Sequence, residues 1–291
     1  MSFESLEELT STAEKNNISL FEAILKDDME SRGVTRQQSM EKMLHLWHIM
    51  NKSAEDYDGS RRSASGLAGG DAQKYRDYTN TYTALIGEFV SNVMYYALST
   101  AESNACMRCI VAAPTAGSCG VLPAVLIPYS RRYNTSDERM VEALYVAAGI
   151  GQVIATRASI SGAEGGCQAE IGSASAMAAG TLVYLQGGTN GQITSAVAMA
   201  LKSLLGLVCD PVAGLVEVPC IKRNVIGAVN AVTSADMALA GIQSRIPADE
   251  VIDAMKRIGA VMPEALKETA RGGLADTPEG RKIAEKLICT Q

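Results

Sequence analysis

Apolar residues in the N-terminal part of the chain recur at intervals of three and four with polar residues between them, the pattern of helices that bury one face. Two such stretches open with capping signals. Ser19-Leu20-Phe21-Glu22 and Thr35-Arg36-Gln37-Gln38 each place a hydroxyl side chain three positions ahead of an acid or amide that reaches back to it. Residues 57–74 include Ser63-Ala64-Ser65-Gly66-Leu67-Ala68-Gly69-Gly70-Asp71, too rich in Gly and Ser to continue a helix, and are expected to form a linker or a site loop. Helical patterning resumes over residues 78–97 and breaks again at Ala112-Ala113-Pro114-Thr115-Ala116-Gly117-Ser118-Cys119-Gly120.

Residues 141–157 and 193–208 are Ala-rich and apolar on most faces, which predicts helices buried on several sides and places the core there. Pro247, followed by Asp249 and Glu250, opens a helix that Lys256 and Arg257 close before Gly259. Pro263 is expected to open another that ends at Arg271-Gly272-Gly273, and residues 276–287 read as one more short helix. There is no internal repeat and no alternation of β-branched residues over successive strands. The expected fold is all-α: one compact multi-helix domain over residues 1–291, with Gly/Pro-rich loops, an N-terminal helical part (1–75) and a chemistry-bearing part (76–291).

Composition narrows the picture. Hydrophobic residues make up 47% of the chain but aromatics only 5%, so the interior is built from Ala, Val, Leu, Ile and Met in closely packed helices. A net charge of −6 leaves no basic face for nucleic acid and no polybasic patch for an anionic membrane, which favours a small-molecule substrate. No segment stays apolar long enough to span a bilayer. The start, Met1-Ser2-Phe3-Glu4, is acidic rather than basic and then apolar, so a cytoplasmic protein is expected. Seven cysteines argue against a disulfide framework and for thiols that ligate metal, react or fill the core.

Two stretches concentrate unusual sequence. In Ser159-Ile160-Ser161-Gly162-Ala163-Glu164-Gly165-Gly166-Cys167-Gln168-Ala169-Glu170-Ile171-Gly172, glycines surround one cysteine and let backbone approach a bulky ligand. In Cys209-Asp210-Pro211-Val212-Ala213-Gly214-Leu215-Val216-Glu217-Val218-Pro219-Cys220, prolines beside both cysteines prevent a simple helix from joining them. Thiols on constrained backbone suit an iron-sulfur cluster, whose charge the N–H groups of Gly-rich loops stabilise. From spacing alone, buried core thiols and cluster ligands both remain open.

At these residues the chain resembles the α chain, or α domain, of the iron-sulfur L-serine dehydratases, also called L-serine ammonia-lyases. The matching elements are Ala113-Pro114-Thr115-Ala116-Gly117-Ser118-Cys119-Gly120, Ser161-Gly162-Ala163-Glu164 with Gly166-Cys167-Gln168, Cys209-Asp210-Pro211-Val212-Ala213-Gly214 with Val218-Pro219-Cys220, and Arg271-Gly272-Gly273-Leu274-Ala275. The resemblance implies that Cys167, Cys209 and Cys220 hold three irons of a 4Fe-4S cluster and leave the fourth without a protein thiolate, an open position for a Lewis acid. L-serine would then lose its Cα proton and its hydroxyl, and the product would hydrolyse to pyruvate and ammonia without pyridoxal phosphate. The family also carries a second, β region that is not found in these 291 residues, so the resemblance implies a separate β chain as partner.

The same resemblance marks Cys289, near the C-terminus, as a cysteine that reaches into the site, although the longer tail after Arg271-Gly272-Gly273-Leu274 leaves a terminal thiol as the alternative. Thr115, Gly117 and Ser118 lie in a turn whose N–H groups suit an anion such as the substrate carboxylate, or simply cap a helix. Ser161, Glu164 and Gln168 flank the cluster cysteine. Ser161 and Glu164 are candidates for catalysis, Glu164 as acid or base or as a neutralising charge, and Gln168 for contact with substrate. Cys106-Met107-Arg108-Cys109 lacks a second pair or a thioredoxin-like context, and His45 and His48 around Trp47 read as structural or partner-facing. Rival readings are a related iron-sulfur cysteine desulfidase-type lyase, a non-catalytic iron-sulfur protein and a cluster-free helical scaffold.

Overall fold

The computed structural model describes residues 2–289. Among them an N-terminal layer is formed by α1 (Leu6–Lys15), α2 (Leu20–Arg32) and α3 (Arg36–Glu55). Then follow α4 (Asp71–Thr81), α5 (Gly87–Ala105), α6 (Val121–Tyr133), α7 (Asp137–Arg157), the single turn α8 (Gly162–Gly165) and α9 (Ser173–Leu185). The chain continues through α10 (Asn190–Lys202), α11 (Cys220–Leu239), α12 (Ala248–Val261) and α13 (Pro278–Ile288). The described residues contain no strand, only an isolated parallel bridge between Cys209 and Lys267, so the all-α expectation holds.

Every residue of α9 is buried, and α6, α7, α10 and α11 pack around it. Its sequence, Ser-Ala-Ser-Ala-Met-Ala-Ala-Gly, makes this possible, because small side chains on all faces let four neighbours approach one axis. At Gly180 a Cβ would lie 2.5 Å from Ile150 Cδ1 of α7 and 3.0 Å from Val197 Cγ2 of α10, which measures how closely these helices meet. Several polar atoms inside this bundle are paired, although the Ser173 and Ser234 hydroxyls are not. Ser175 Oγ donates to the Gly227 carbonyl at 2.7 Å, and Asn230 Nδ2 donates to Ser175 Oγ and the Ala200 carbonyl, both at 2.9 Å.

The N-terminal layer docks on α7 through α2 and α3. Trp47 is 1% exposed, and its indole N–H donates at 2.8 Å to Asp137 Oδ1, while His48 Nε2 meets the other oxygen of Asp137 at 2.8 Å. The acid at the start of α7 therefore pins α3, and His48 is a structural contact. His45 is exposed. The capping box at Thr35 and Gln38 is complete in both directions, whereas at Ser19 only the serine hydroxyl accepts, from the Glu22 N–H.

Several boundaries differ from expectation: the helix expected over residues 193–208 ends at Lys202, and the one expected to close before Gly259 runs to Val261. The loop at residues 57–74 ends early, because Glu102, 1% exposed, accepts from the N–H groups of Asp71 at 2.7 Å and Ala72 at 3.2 Å and starts α4 there. The helix expected over residues 78–97 is split between α4 and α5, with an exposed connection in which Leu85 is fully exposed. Pro263 opens only a 3-10 turn, Glu264–Leu266, after which Glu268 and Ala270 take positive φ and the chain runs beside Cys209. Here tertiary pairing overrides the helix signal: Cys209 N–H donates to the Leu266 carbonyl at 2.9 Å and Glu268 N–H to the Cys209 carbonyl at 2.8 Å.

Replacing Gly180 with Val forces branched atoms into the contact between α7, α9 and α10. The expected result is a loss of about 1–3 kcal/mol of unfolding free energy, read as a lowered urea midpoint with unchanged helical circular dichroism below the transition.

Candidate active site

Cys167, Cys209 and Cys220 lie on three separate segments at one end of the helical core and are 2%, 3% and 7% exposed. Cys167 precedes a π-helical turn, Gln168–Gly172, that runs into α9, and such turns recur at functional sites because they re-aim side chains. Cys209 is held between two backbone bonds to the 266–268 segment. Cys220 is the first residue of α11, where the helix N-terminus favours an anionic sulfur. The Cys209 thiol is hydrogen-bonded to Cys167, and Cys220 is near enough for the charge of Cys167 to act on it.

Arg223, one turn into α11, ties these segments together. Its guanidinium pairs with Asp210 Oδ1 at 2.8 Å, donates to the Val208 carbonyl at 2.8 Å and hydrogen-bonds the Cys167 sulfur. The other oxygen of Asp210 accepts from the Leu274 N–H at 2.8 Å, which fastens the Arg271-Gly272-Gly273-Leu274 segment to the same place. The Cys167 thiol is accordingly held below the usual thiol range, by the hydrogen bond from Cys209 first and by Arg223 after it, with burial opposing both. Cys209 is pushed well above that range by the same hydrogen bond and by burial, and burial pushes Cys220 up to about 12.

The turn at residues 113–120 forms a second wall. Asn224, 1% exposed, donates from Nδ2 to the Gly117 carbonyl at 2.8 Å and the Cys220 carbonyl at 2.9 Å, and its Oδ1 accepts from Gly120 N–H at 2.9 Å. Within the turn Thr115 Oγ1 and Ser118 Oγ are 3.0 Å apart, and Ser118 is fully buried. Acceptors within the protein take up the N–H groups of Thr115, Ser118, Cys119 and Gly120. Those of Ala116 and Gly117 have no such acceptor among the described residues.

Glu170, from the π-helical turn, faces this wall and was not singled out by the sequence. It is hydrogen-bonded to Thr115, and burial pushes its carboxyl above the usual carboxylate range, with the charge of Glu268 adding to the rise. A Cβ at Gly162 would lie 2.8 Å from Glu170 Oε2 and 3.0 Å from Cys209 Sγ, so glycine at that position keeps open the space between carboxylate and sulfur. Arg223 and Asn224 were missed as well, although they stand three and four residues beyond Cys220, the spacing that shares one face of a helix.

The remaining candidates are placed as follows. Ser161 caps α8 with its carbonyl accepting from the Glu164 and Gly165 N–H groups, and Glu164 is exposed at the rim. The Gln168 amide is committed to backbone, donating to the Met255 carbonyl at 3.0 Å and accepting from the Gly206 N–H at 2.9 Å. Cys289 is exposed and follows α13, which packs against the turn Val212–Gly214 between Cys209 and Cys220. Cys119 is buried, which pushes its thiol up to about 12, while Cys106 is half-buried and Cys109 exposed. The Gly-rich loop docks on that site: Ser63 and Ser65 hydroxyls donate to the buried Glu217 at 2.9 and 2.6 Å.

The helical domain gathers three buried thiols and a guanidinium at one end, beside the turn at residues 113–120. A family profile described as serine dehydratase alpha chain matches residues 15–275, and the chain belongs to that family. It is 47% identical over 286 residues to a probable L-serine dehydratase, alpha chain, of Bacillus subtilis (strain 168), covering 98% of this chain and 95% of that protein. It is 42% identical over 282 residues to the L-serine dehydratase, alpha chain, of Peptoniphilus asaccharolyticus, covering 97% of each. The L-serine dehydratase of Streptomyces coelicolor is 39% identical over 281 residues, which cover 94% of this chain but 60% of that longer protein.

Asn224→Ala removes the side chain that joins the Gly117–Gly120 turn to Cys220 and leaves buried backbone groups unpaired. It is expected to cost about 1–3 kcal/mol in urea unfolding and to speed amide exchange at Gly120.

Proposed function

We propose that this chain is the alpha subunit of a cytoplasmic L-serine dehydratase, a lyase that converts L-serine to pyruvate and ammonia with a 4Fe-4S cluster and a separate beta chain. The observation that carries the reading is the meeting of three buried thiols from three segments around Arg223, in a chain that belongs to the serine dehydratase alpha chain family. The separate beta chain is supported by the lengths of the relatives: the proteins named alpha chain are matched almost end to end, the Streptomyces protein over 60% of its length.

The donor set fits the cluster. Three thiols with no disulfide among the described residues, next to a glycine whose missing Cβ leaves space beside Cys209 Sγ, suit a bulky sulfur-rich ligand. In a polynuclear centre each thiolate takes a different iron, so the three sulfurs need not converge on one point. When bound through Cys167, Cys209 and Cys220, the cluster supplies an iron without a protein thiolate, a Lewis acid for the hydroxyl of the substrate.

The chain's own residues provide the rest. Arg223 offsets thiolate charge and fixes Cys167 and Asp210. The amides of the Thr115 turn, with Gly117 and Ser118, hold the substrate carboxylate. Gln168 keeps the wall beside Cys167 in place through Met255 and Gly206, Ser161 and Glu164 stand at the rim as proton-handling groups, and the exposed Cys289 lies on the tail whose helix packs behind the cysteine loop. Elimination takes the Cα proton and the hydroxyl as water. The aminoacrylate released tautomerises to an imine, and addition of water expels ammonia to leave pyruvate.

Anaerobic purification is expected to give about four iron and four acid-labile sulfide per chain, with a clear loss in Cys209→Ser. The isolated chain is expected to keep its cluster and form little pyruvate from L-serine, whereas the pair coexpressed with its beta chain turns over readily. Well-folded protein with little iron in any preparation would overturn the reading.

A further inference from the structure

Each buried acid around the site is matched except one. Asp210 is paired with Arg223, Glu217 accepts from two serine hydroxyls, and Glu102 accepts from two backbone N–H groups and from Tyr57 Oη at 2.5 Å. Glu170 has the Thr115 hydroxyl and, among the described residues, no Lys, Arg or His. Its nearest charged influence is the like-charged Glu268. Both carboxylate oxygens look onto bare glycine backbone: a Cβ on Gly117 would lie 3.2 Å from Oε1 and 3.4 Å from Oε2, and one on Gly162 would lie 2.8 Å from Oε2. A half-buried carboxylate that lies against two glycines and is given no counter-charge is arranged for a cation that arrives from outside.

We infer that Glu170 receives the α-ammonium group of the substrate and makes the site selective for an α-amino acid over the matching acid that lacks nitrogen. The assignment rests on the proposed L-serine dehydratase reading and adds to it the group that recognises the substrate's positive end. Gly117 joins the two halves of the argument. Its free N–H belongs to the turn that suits the substrate carboxylate, and its Cα hydrogen faces the Glu170 oxygens. In an α-amino acid the carboxylate and ammonium are separated by one carbon, so neighbouring receptors of opposite sign are what a zwitterion requires. With its carboxylate on the turn and its ammonium on Glu170, the substrate's Cβ hydroxyl has the third direction left, toward the cysteines.

The test uses the anaerobic holoenzyme with its beta chain and compares wild type, Glu170→Gln and Glu170→Asp. Iron and sulfide content and wild-type pyruvate formation are measured first, and their absence in the wild type counts against the cluster reading alone. The decisive quantity is the ratio of the affinity for L-serine to that for 3-hydroxypropanoate, which is serine without its amino group, taken from KM and from competitive inhibition. Glu170→Gln keeps the shape and the Thr115 contact, so it is expected to weaken L-serine binding by about 10- to 100-fold while leaving 3-hydroxypropanoate within about twofold. Glu170→Asp is expected to keep most of the discrimination. If Glu170→Gln turns over too slowly for a KM, calorimetry reads the same two affinities, because slow turnover leaves L-serine intact. A parallel loss for both ligands, as a merely structural role would give, or an unchanged ratio, would overturn the inference.

Discussion

A buried guanidinium organises this end of the molecule. Three segments meet at Arg223: the Val208–Asp210 stretch, the loop that presents Cys167 some forty positions earlier, and the first turn of its own helix, which begins at Cys220. A buried ion pair seldom adds net stability, because desolvation of two charges offsets their attraction, but removing one partner leaves the other uncompensated and is costly. The pair of Arg223 and Asp210 therefore acts less as a source of stability than as a constraint. Arrangements that separate the cysteine-bearing segments strand a charge, and the thiolate character of Cys167 depends in part on the same cation.

The helical core makes that constraint effective. Because α9 is buried on all faces and built from small residues, α7, α10 and α11 sit close around it and cannot slide without overpacking. Cys167 enters α9 through the π-helical turn and Cys220 opens α11, so two of the three thiols stand at the ends of rigid helices in contact with each other. The irregular segments that complete the site are fastened to this frame by buried polar side chains. Asn224 holds the 113–120 turn, Asp210 holds Leu274, and Glu217 and Glu102 hold the two ends of the Gly-rich loop, which Lys222 of α11 also reaches through its 2.5 Å contact with Asp71.

Elements whose signal is local were legible in the sequence. The Thr35 capping box, the serine cap of α2 and the apolar run inside α7 depend on contacts within a few residues of one another. The three cysteines stood out because glycine and proline around them broke every helical pattern. The misses share a different cause. Residues 267–271 read as helix after Pro263, but they meet Cys209, some sixty positions away, and no local pattern contains that partner. Arg223 and Asn224 carried the spacing of a helix face, which becomes informative only once Cys220 is known to start the helix. Glu170 lies in a π-turn, where the 3.6-residue period that assigns faces does not apply.

The surroundings of Cys167 differ from those of a core thiol. Cysteines that merely fill a core are neutral, and burial alone raises a thiol's pKa, as it does for Cys119. At the three-cysteine site the Cys209 hydrogen bond and the arginine beside Cys167 hold that one thiol below its usual range, whereas burial pushes Cys220 up to about 12, as it does Cys119. Glu170 adds a carboxylate from the other wall. An arrangement with only thiolates to stabilise would gain from an apolar residue at that position, since a half-buried carboxylate without a basic partner is a cost to folding. The inferred role of Glu170 would account for its presence beside two glycines, since a zwitterionic amino acid carries both signs of charge and a hydroxy acid does not.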